Sequence, residues 1–551
     1  MLDPITFITK YGRDVLHYGQ AMRAHDKKTF IQAMFKEVED HVRRKHWDIV
    51  PISKVPKGHK VLDAVWSFKR KRDIASQKII KWKARLTVHG GQQEYGINFW
   101  ETYSPVVNWF SVRLLLTLSL VNKWATRQVD FVLAFPQAPL ECDLFMKLPT
   151  GFQFEHGNSK THVLKLKKNL YGQKQAGKVW YDHLKGGLKA IGFIPSAVDE
   201  CVFTRGSTIF MCYVDDGIFA DPDESKIDKA IEDLKQQHFD IENKGSIQDY
   251  LGIHVEYLPG NKIKLSQPHL IDQIIEQVGM KDSKRTKRTP SPTSILHRFP
   301  KEEPFDEHFH YRSVIGKLNF LEKGTRLDIA YATHQCARFS IDTKKSHGDA
   351  VEYLCKYLIG TRDKGIILDP DTEQSLKVYV DADFCGSYQR ITAMDDISTA
   401  KSRTGYIVQY CNCPIVWVSK LQTLVTLSTT EAEYVALSHS LRDTFPIMNL
   451  LKEFKDRDFA VIGDSKAKLM CRVFEDNSGA LELANVPKMR PRTKHINLVY
   501  HHFRSRVITR SNPDGDVTIE YIKTKDQLAD IFTKPLAAPQ FELLRKRIQF
   551  F

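Results

Sequence analysis

The 551-residue sequence lacks several features that would mark a specialised class of protein. It has nine cysteines, none of them in a Cys-x-x-Cys pair, and its closest two, Cys411 and Cys413, are separated by a single residue. No apolar run approaches the length of a membrane span, and the N-terminus has no apolar segment of the signal-peptide kind. These absences argue against a disulfide framework and a zinc knuckle, and we expect a reduced, intracellular, soluble protein.

What the sequence does contain is a globular composition with an excess of basic residues. Hydrophobic residues make up 42% and charged residues 27% of the chain. With 81 Lys and Arg against 66 Asp and Glu, the formal net charge is +15. This excess favours a polyanionic partner such as nucleic acid, although an ordinary basic protein has a similar balance. The length predicts roughly two to four domains.

Periodicity and composition divide the chain into four regions. Residues 1–60 are predicted to be a helical lead-in without chemistry, and 61–280 mix strands with helices. Residues 281–370 begin with a charged linker containing proline and continue as helices, and 371–551 form a second α/β unit. The predicted helices are 111–122, 175–190, 224–237 and 267–279, and the predicted strands include 126–135, 200–205 and 208–219.

Three acidic residues lie in apolar strand-like runs of the second region. Asp215 and Asp216 directly follow the run 210–214, and Asp130 lies in an earlier run, 129–135. Adjacent carboxylates among apolar residues are costly unless they are paired or bind a metal, although a hairpin with an acidic turn is the structural alternative. Nucleotidyl transfer by two divalent ions requires hard oxygen ligands of this kind. The three acids therefore predict a magnesium site.

A second series of acids follows in order along the last region. Asp381 and Asp476 end predicted strands, Glu433 lies at the start of a predicted helix, and Asp530 lies in a late helix. Each position also has a structural explanation, because Asp is favoured where strands end and Glu in first helical turns. Four such positions in order are harder to explain by structure alone.

The motifs around these acids resemble those of copia-type (Pseudoviridae) LTR retrotransposon Pol polyproteins, over the reverse transcriptase and ribonuclease H portion. The resemblance covers about residues 60–280 with several motifs in order. Gln173 departs from the Leu usual in the family. The motifs are Lys81-Trp82-Lys83-Ala84-Arg85-Leu86, Glu101-Thr102-Tyr103-Ser104-Pro105-Val106, Asp130 with Ala134-Phe135, Leu170-Tyr171-Gly172 and Tyr213-Val214-Asp215-Asp216.

This resemblance implies a multidomain fold of α+β and α/β units. A right-hand polymerase, with fingers and a ferredoxin-like palm, would occupy 61–280. A linker and a thumb-like or connection-like helical region would occupy 281–370, and a ribonuclease H-like domain 371–551.

The resemblance also implies roles for individual residues of the polymerase. Asp130, Asp215 and Asp216 would hold the metal ions, and Lys83 and Arg85 would contact the triphosphate of the incoming nucleotide. General attraction to the template backbone is the alternative for these two cations. Phe135 would exclude the ribose 2′ hydroxyl by contact, with core packing as its alternative.

In the last region, Lys494-His495-Ile496 and Thr533-Lys534-Pro535-Leu536 are similar to the ending of the family's ribonuclease H unit. The resemblance implies Asp381, Glu433, Asp476 and Asp530 as metal ligands, with His495 assisting product release. Ser428 and Glu431 match a capping box, and residues two apart point about 200° away from each other on a helix. We therefore predict that Glu433, and not Glu431, is the ligand. A zinc site at His495, His501 and His502 is disfavoured, because no Cys or acidic partner lies at ligand spacing.

The function implied is an RNA-directed DNA polymerase that also cleaves the RNA of RNA–DNA hybrids, with Mg²⁺ or Mn²⁺ as cofactor. Its partners would be an RNA template, a primer, the hybrid, deoxynucleoside triphosphates and other polyprotein products such as capsid and integrase, but no membrane. We expect a cytoplasmic location in a virus-like particle, and the resemblance also allows a nuclear phase. One alternative is a catalytically dead or domesticated nucleic-acid-binding relic. Another, an integrase-type nuclease, would not explain Asp130 or the paired Asp215 and Asp216.

Overall fold

In the computed structural model of the protein, the described residues are 14–72, 78–152, 154, 158–298, 301–371, 373, 375–390, 393, 396–461, 467–486 and 495–548. Among these, no helix is both long and apolar enough to cross a membrane. The nine cysteines all lie in the described ranges and are all free thiols.

Strands and helices alternate through most of the chain. The strands are β1 Val15–His17, β2 Trp47–Pro51, β3 Val61–Leu62, β4 Ala64–Arg72, β5 Ile79–Val88, β6 Ala125–Phe131, β7 Phe145–Lys147, β8 His162–Leu166, β9 Ile194–Pro195, β10 Val202–Arg205, β11 Thr208–Tyr213, β12 Asp216–Asp221, β13 Ile241–Gly245, β14 Asp249–Tyr250, β15 Ile253–Leu258, β16 Lys262–Ser266, β17 Ile366–Leu368, β18 Leu376–Asp383, β19 Arg403–Tyr410, β20 Cys413–Leu421, β21 Cys471–Glu475 and β22 Val517–Tyr521. The helices are α1 Tyr18–Ala21, α2 Lys27–Arg43, α3 Trp109–Asn122, α4 Ala134–Gln137, α5 Ala176–Ala190, α6 Glu224–Gln236, α7 Pro268–Gln277, α8 Tyr311–Gly324, α9 Ala330–Ala337, α10 Lys345–Gly360, α11 Thr429–Asp456, α12 Ser478–Asn485, α13 Asp530–Thr533 and α14 Ala538–Arg547.

The N-terminal part of the chain builds a basic hairpin on a hydrophobic base. Strands β1, β4 and β5 form one sheet, and α2 packs on β5 through the buried Phe30, Met34 and Val38. Strand β2 pairs with β8 in a second sheet, so the described part of 14–60 shares its core with later residues. The predicted lead-in is therefore more than a surface helix, because it also supplies strands.

The palm is a six-stranded sheet in the order β13-β6-β12-β11-β10-β9. Helices α3 and α6 contact β12. Helix α3 is buried on all sides, with every residue from Ser111 to Leu120 inaccessible. An α-helix that is apolar all round must be covered on all sides. Here the palm sheet covers one side and β20 of the last domain covers another.

The last domain is a mixed five-stranded sheet in the order β20-β19-β18-β21-β22. Strands β18, β19 and β20 are antiparallel, whereas β21 and β22 run parallel to β18. The long helix α11 packs across β18 and β19. This topology confirms the expected fold class, a polymerase-type α+β unit followed by a ribonuclease H-like α/β unit.

Two predicted strands differ from the structure around the functional residues. The predicted strand 126–135 ends at Phe131, because Leu133 has a left-handed backbone (φ 50°) and Ala134–Gln137 is helical. The predicted strand 208–219 is interrupted at Val214, which also has a positive φ of 57°. Each interruption turns the chain directly beside a predicted metal ligand, Asp130 or Asp215.

Arg113 of α3 joins the palm to the last domain. Its guanidinium donates to the carbonyl of Ile415 at 2.9 Å and to that of Gly324 at 3.1 Å, and also to the Lys323 carbonyl. The group lies 4.0 Å from the centre of the Trp417 ring. Complete burial lowers the pKa of Arg113 to about 9, and the Glu322 charge partly opposes this shift.

Replacing Arg113 by Met should lower the free energy of unfolding by about 3 kcal/mol, because three buried carbonyls lose a charged donor. Urea unfolding followed by tryptophan fluorescence measures the change. Arg43→Met is the matched control, since that side chain is 67% exposed, and it should change stability by less than about 0.5 kcal/mol. Equal effects of the two substitutions would contradict a bridging role for Arg113.

Two candidate metal centres

The first centre lies at one end of the palm sheet. Asp216, the first residue of β12, pairs in register with Asp130 of β6. Asp215 lies in the turn just before it, and its carbonyl accepts a 2.8 Å hydrogen bond from the Phe131 amide. Trp180 fixes the turn by donating from Nε1 to the Val214 carbonyl at 2.6 Å. Two neighbouring strands and one turn thus place the three predicted ligands at the same end of the sheet, but among the described residues only the acids of the second centre have oxygens that all lie within 4.8 Å of one another.

Two carboxyls of this centre, those of Asp215 and Asp216, resist ionisation because their pKa values are raised. Loss of water and the charges of Asp215 and Asp130 raise the pKa of Asp216 to about 6. Burial, together with Asp130, also raises the pKa of Asp215, which Arg85 and Lys83 partly offset. Lys244 Nζ lies 3.7 Å from Asp130 Oδ2. The set is short of positive charge, as expected of ligands for a divalent ion.

One face of the β4–β5 hairpin carries five cations. Register pairs Lys69 with Lys83, Lys71 with Lys81 and Ser67 with Arg85, so these side chains share a face. All five cations are exposed, whereas the opposite face of the hairpin buries Trp66, Phe68 and Leu86. The pKa of Lys83 is lowered, first by loss of water around its ammonium and then by the neighbouring cations.

Phe135 and Arg85 meet at a single aromatic ring. The guanidinium of Arg85 lies 3.9 Å from the centre of the Tyr171 ring, and the Phe135 ring centre lies 4.9 Å from it. Phe135 is half-buried, so it both packs against the core and presents an edge to solvent. The two interpretations of Phe135, packing and contact with a ligand, are therefore compatible.

The second centre lies where the strands of the last domain end. Oxygens of Asp381 (β18), Glu433 (α11) and Asp476 (after β21) all lie within 4.8 Å of one another. The fourth predicted ligand, Asp530, is linked to them through Lys534. The ammonium of Lys534 lies 2.8 Å from Asp530 Oδ1 and 3.7 Å from Asp381 Oδ2.

Burial and mutual repulsion raise the pKa values of Glu433, Asp476 and Asp530. The pKa of Glu433 is raised well above its usual range by burial and by the charges of Glu475, Asp381 and Asp476. The pKa of Asp530 is raised to about 7 by burial and by Asp381, although Lys534 opposes this. Glu433 Oε2 has no hydrogen-bond partner among the described residues. A buried carboxylate oxygen without a partner, in a group of hard oxygen donors, fits a divalent ion such as Mg²⁺ or Mn²⁺.

Glu475 belongs to this neighbourhood and was missed by the sequence analysis. It is completely buried, and one of its oxygens accepts from the Asn477 amide at 3.0 Å. Its other oxygen has no partner within the described ranges. The alternation along β21 was a usable signal, because Arg472 is exposed while Val473 and Glu475 are two residues apart and both buried.

The start of α11 separates the roles of Glu431 and Glu433. Ser428 caps the helix as predicted, with its hydroxyl accepting from the Glu431 amide at 3.1 Å. The capping box also predicts that the Glu431 carboxylate accepts from the Ser428 amide, and this part is wrong, because it accepts from the Leu427 amide at 2.7 Å. The same carboxylate lies 3.2 Å from His495 Nε2. Lys494, also part of the ending motif, lies outside the described residues.

The raised pKa values predict how stability depends on pH without metal. Asp216 (about 6) and Asp530 (about 7) bind protons more tightly when folded than at the ordinary aspartate value of 3.8. Their contribution is complete at low pH and is lost as pH rises from about 4 to about 7. Unfolding free energy should therefore fall across this window, by about 2 kcal/mol after allowing for solvent screening.

Urea titrations at several pH values, in chelator and in saturating Mg²⁺, measure this dependence. The double variant Asp216→Asn with Asp530→Asn is the matched control and should lose most of the pH-dependent difference. Mg²⁺ should restore stability at neutral pH in the parent protein, because ions replace the bound protons. Stability that rises with pH in chelator, or that ignores Mg²⁺, would contradict these two centres.

Comparison with known proteins shows which family the chain resembles. Residues 44–292 match the family described as reverse transcriptase (RNA-dependent DNA polymerase). The chain is 31% identical to the retrovirus-related Pol polyprotein from transposon TNT 1-94 of Nicotiana tabacum, over 95% of this chain and 38% of the relative. It is 32% identical to that of transposon RE1 of Arabidopsis thaliana, over 96% and 34% respectively.

More distant relatives are also similar. The chain is 26% identical to the transposon Ty1-ER2 Gag-Pol polyprotein of Saccharomyces cerevisiae, over 97% of this chain and 30% of the relative. The chain therefore spans between 30% and 38% of the length of these polyproteins. Among solved structures, a foamy viral protease-reverse transcriptase in complex with double-stranded DNA is similar at 12% identity and a TM-score of 0.46, covering 90% of this chain and 69% of that one.

Proposed function

Because this chain belongs to the Pol polyproteins of copia-type LTR retrotransposons, we propose that it copies RNA into DNA at the palm centre and cleaves the RNA of RNA–DNA hybrids at the second centre. The observation that supports this most directly is the register of β6 and β12, which sets Asp130 opposite Asp216 with Asp215 in the adjoining turn. Mg²⁺ or Mn²⁺ is the proposed cofactor of both centres.

At the palm, Asp130, Asp215 and Asp216 would hold the divalent ions. Bound there, such ions supply activation of a primer 3′ hydroxyl and stabilisation of the leaving pyrophosphate. Lys83 and Arg85 would offset the charge of the triphosphate. Both cations lie close enough to the acids to oppose the rise in the pKa of Asp215. Phe135, in contact with Tyr171, would press on the sugar and disfavour a 2′ hydroxyl.

At the second centre, Asp381, Glu433, Asp476 and Asp530 would hold the ions for hydrolysis. Thr533 orients Asp381 by donating its hydroxyl to Oδ2. Lys534 keeps a positive charge between Asp381 and Asp530 and so lowers the repulsion within the set. His495, at 3.2 Å from Glu431, stands at the rim and would assist release of the cleaved product.

The proposed partners are an RNA template, a primer, the hybrid, deoxynucleoside triphosphates and other products of the polyprotein. A cytoplasmic virus-like particle is the proposed location. The competing proposal is a relic that binds nucleic acid without catalysis. All seven predicted ligands are present, the oxygens of Asp381, Glu433 and Asp476 lie within 4.8 Å of one another, and Asp130 pairs in register with Asp216, which favours the enzyme.

The two activities should separate by mutation, because the centres lie in different sheets. Asp216→Asn should abolish primer extension on an RNA template and leave hybrid cleavage unchanged. Asp381→Asn should do the reverse, and both activities are measured on the same purified protein. Asp228→Asn, on the exposed side of α6, is the control for loss of one carboxylate and should affect neither. No activity in the parent protein would support the relic, and loss of both activities in either folded variant would contradict separate centres.

Substitution of Glu433 and substitution of Glu431 should have different effects on cleavage and on stability, although both side chains are buried. Glu433→Gln removes a proposed ligand and should eliminate hybrid cleavage while keeping the melting temperature within a few degrees. Glu431→Gln should keep most cleavage and cost about 1 kcal/mol of stability, because it weakens the cap at the Leu427 amide. Cleavage assays and thermal unfolding of both variants decide the matter. Glu431 essential and Glu433 dispensable would overturn the assignment.

A further inference from the structure

The carboxylate of Asp26 lies against the β4–β5 hairpin and is hydrogen-bonded to both of its strands. Asp26 Oδ2 accepts from Arg70 Nε at 2.7 Å, and Asp26 Oδ1 accepts from Arg70 Nη2 at 2.8 Å. Oδ2 also accepts from Trp82 Nε1 at 2.6 Å. Arg70 of β4 and Trp82 of β5 are paired in register. One buried carboxylate therefore holds a single cross-strand pair of the hairpin.

Asp26 makes these bonds from a position where an aspartate usually stabilises its own helix. It directly precedes α2, and an aspartate there normally accepts from backbone amides of the first turn. Asp26 makes no side-chain cap bond of this kind. The hydrogen bond from Arg70 lowers the pKa of Asp26 well below its usual range, burial opposes this shift, and the bond from Trp82 adds to it. The carboxylate is therefore ionised at neutral pH and is committed to the hairpin.

Two further acids at the N-terminal side of the chain contact the same hairpin. Asp14 accepts from Arg72 Nε at 2.8 Å and from Arg72 Nη2 at 2.9 Å. Glu37 of α2 accepts from the Leu86 amide of β5 at 3.2 Å. Of the three acids only Asp26 is buried. A buried charge-assisted contact of this kind fixes geometry more firmly than the two that water reaches, because water does not compete for its donors.

The opposite face of the hairpin carries the cations that approach the palm acids. Lys83 and Arg85 alternate with Trp82 along β5, so their side chains project from the other face. Burial raises the pKa of Asp215, and Arg85 and Lys83 partly oppose this rise. Arg85 also lies 3.9 Å from the centre of the Tyr171 ring. A shift of the hairpin would therefore change the distance from these cations to the palm centre.

We infer that Asp26 is a positioning residue for the incoming nucleotide, because it fixes the hairpin that carries Lys83 and Arg85. The inference rests on the proposed function, in which these two cations contact the triphosphate. Asparagine in place of Asp26 would offer one acceptor oxygen to three N–H donors and would present its own N–H groups to them. The cross-strand pair would lose this anchor, and the cations on the opposite face would shift with the strands.

Primer extension by the full chain carrying Asp26→Asn tests this inference, at saturating RNA template and primer and with varied deoxynucleotide. KM for the deoxynucleotide should rise at least about fivefold and kcat should change less than about twofold, because contacts to the triphosphate weaken while the metal ligands stay in place. Titration of deoxynucleotide onto a complex with a dideoxy-terminated primer gives the dissociation constant without chemistry. That constant should rise by the same factor as KM.

Asp328→Asn is the matched control, because Asp328 has the same bonding pattern in the helical region 281–370. It accepts from Arg326 Nε and Nη2, both at 3.0 Å, and from the Tyr357 hydroxyl. Its substitution should lower the melting temperature, as that of Asp26 does, but should keep KM for the deoxynucleotide within about twofold of the parent value.

Trp82→Phe gives a milder second variant, which decides the matter if Asp26→Asn does not fold. It keeps an aromatic ring and removes only the donor to Asp26, so it should raise KM for the deoxynucleotide at least about twofold.

An unchanged KM in folded Asp26→Asn or Trp82→Phe would overturn the inference. An equal rise in Asp26→Asn and Asp328→Asn would also overturn it, because the effect would then be a general loss of stability. Failure of the proposed function is distinguishable in the parent chain. A parent that neither extends the primer nor binds deoxynucleotide would overturn the proposed function and this inference with it, whereas an active parent with insensitive variants would overturn this inference alone.

Discussion

Holding several carboxylates within a few ångströms of one another costs free energy, because each loses water and repels the others. Both centres of this protein solve the problem by the same means. Asp130 and Asp216 are fixed opposite each other by backbone pairing, and Asp381 and Asp476 by the parallel alignment of β18 and β21. The hydrogen bonds and packing of the strands offset this unfavourable free energy. The acids are therefore held in place without a bound cation. Preorganised ligands of this kind lose little on binding an ion.

Positive charge is distributed to suit that arrangement. In each centre one lysine lies within ion-pair distance of an acid, Lys244 near Asp130 and Lys534 near Asp530, and this relieves the repulsion only in part. In the N-terminal part of the chain, the hairpin face with Lys83 and Arg85 adds five exposed cations. Arg113, at the junction of palm and last domain, uses its charge differently, as a donor to three carbonyls. Basic residues therefore contribute to assembly of the fold as well as to the charge of its surface.

The sequence was sufficient to predict the fold class and to single out the acids as candidate ligands, since carboxylates in or after apolar strands are a local signal. Asp381, Glu433 and Asp476 lie where strand ends or a helix start were predicted, whereas Asp130 was predicted inside a strand that in fact ends one residue after it. The end of β6 at Phe131 was not predictable, because the left-handed Leu133 follows from tertiary packing and Leu has no preference for that conformation. Glu475 was missed because the adjoining Asp476 already matched the ligand that the resemblance implies for this segment. The bridge made by Arg113 joins residues about 200 to 300 positions apart, a separation that no local pattern records.

The central claim is that one chain holds two separate divalent-metal centres built from these acids. Anomalous diffraction from crystals soaked in Mn²⁺ tests it most directly, because it locates the ions without relying on activity. The account predicts manganese at Asp130, Asp215 and Asp216, and separately among Asp381, Glu433, Asp476 and Asp530. Saturating Mn²⁺ that leaves either set of acids without a peak, or that binds at other residues instead, would contradict it.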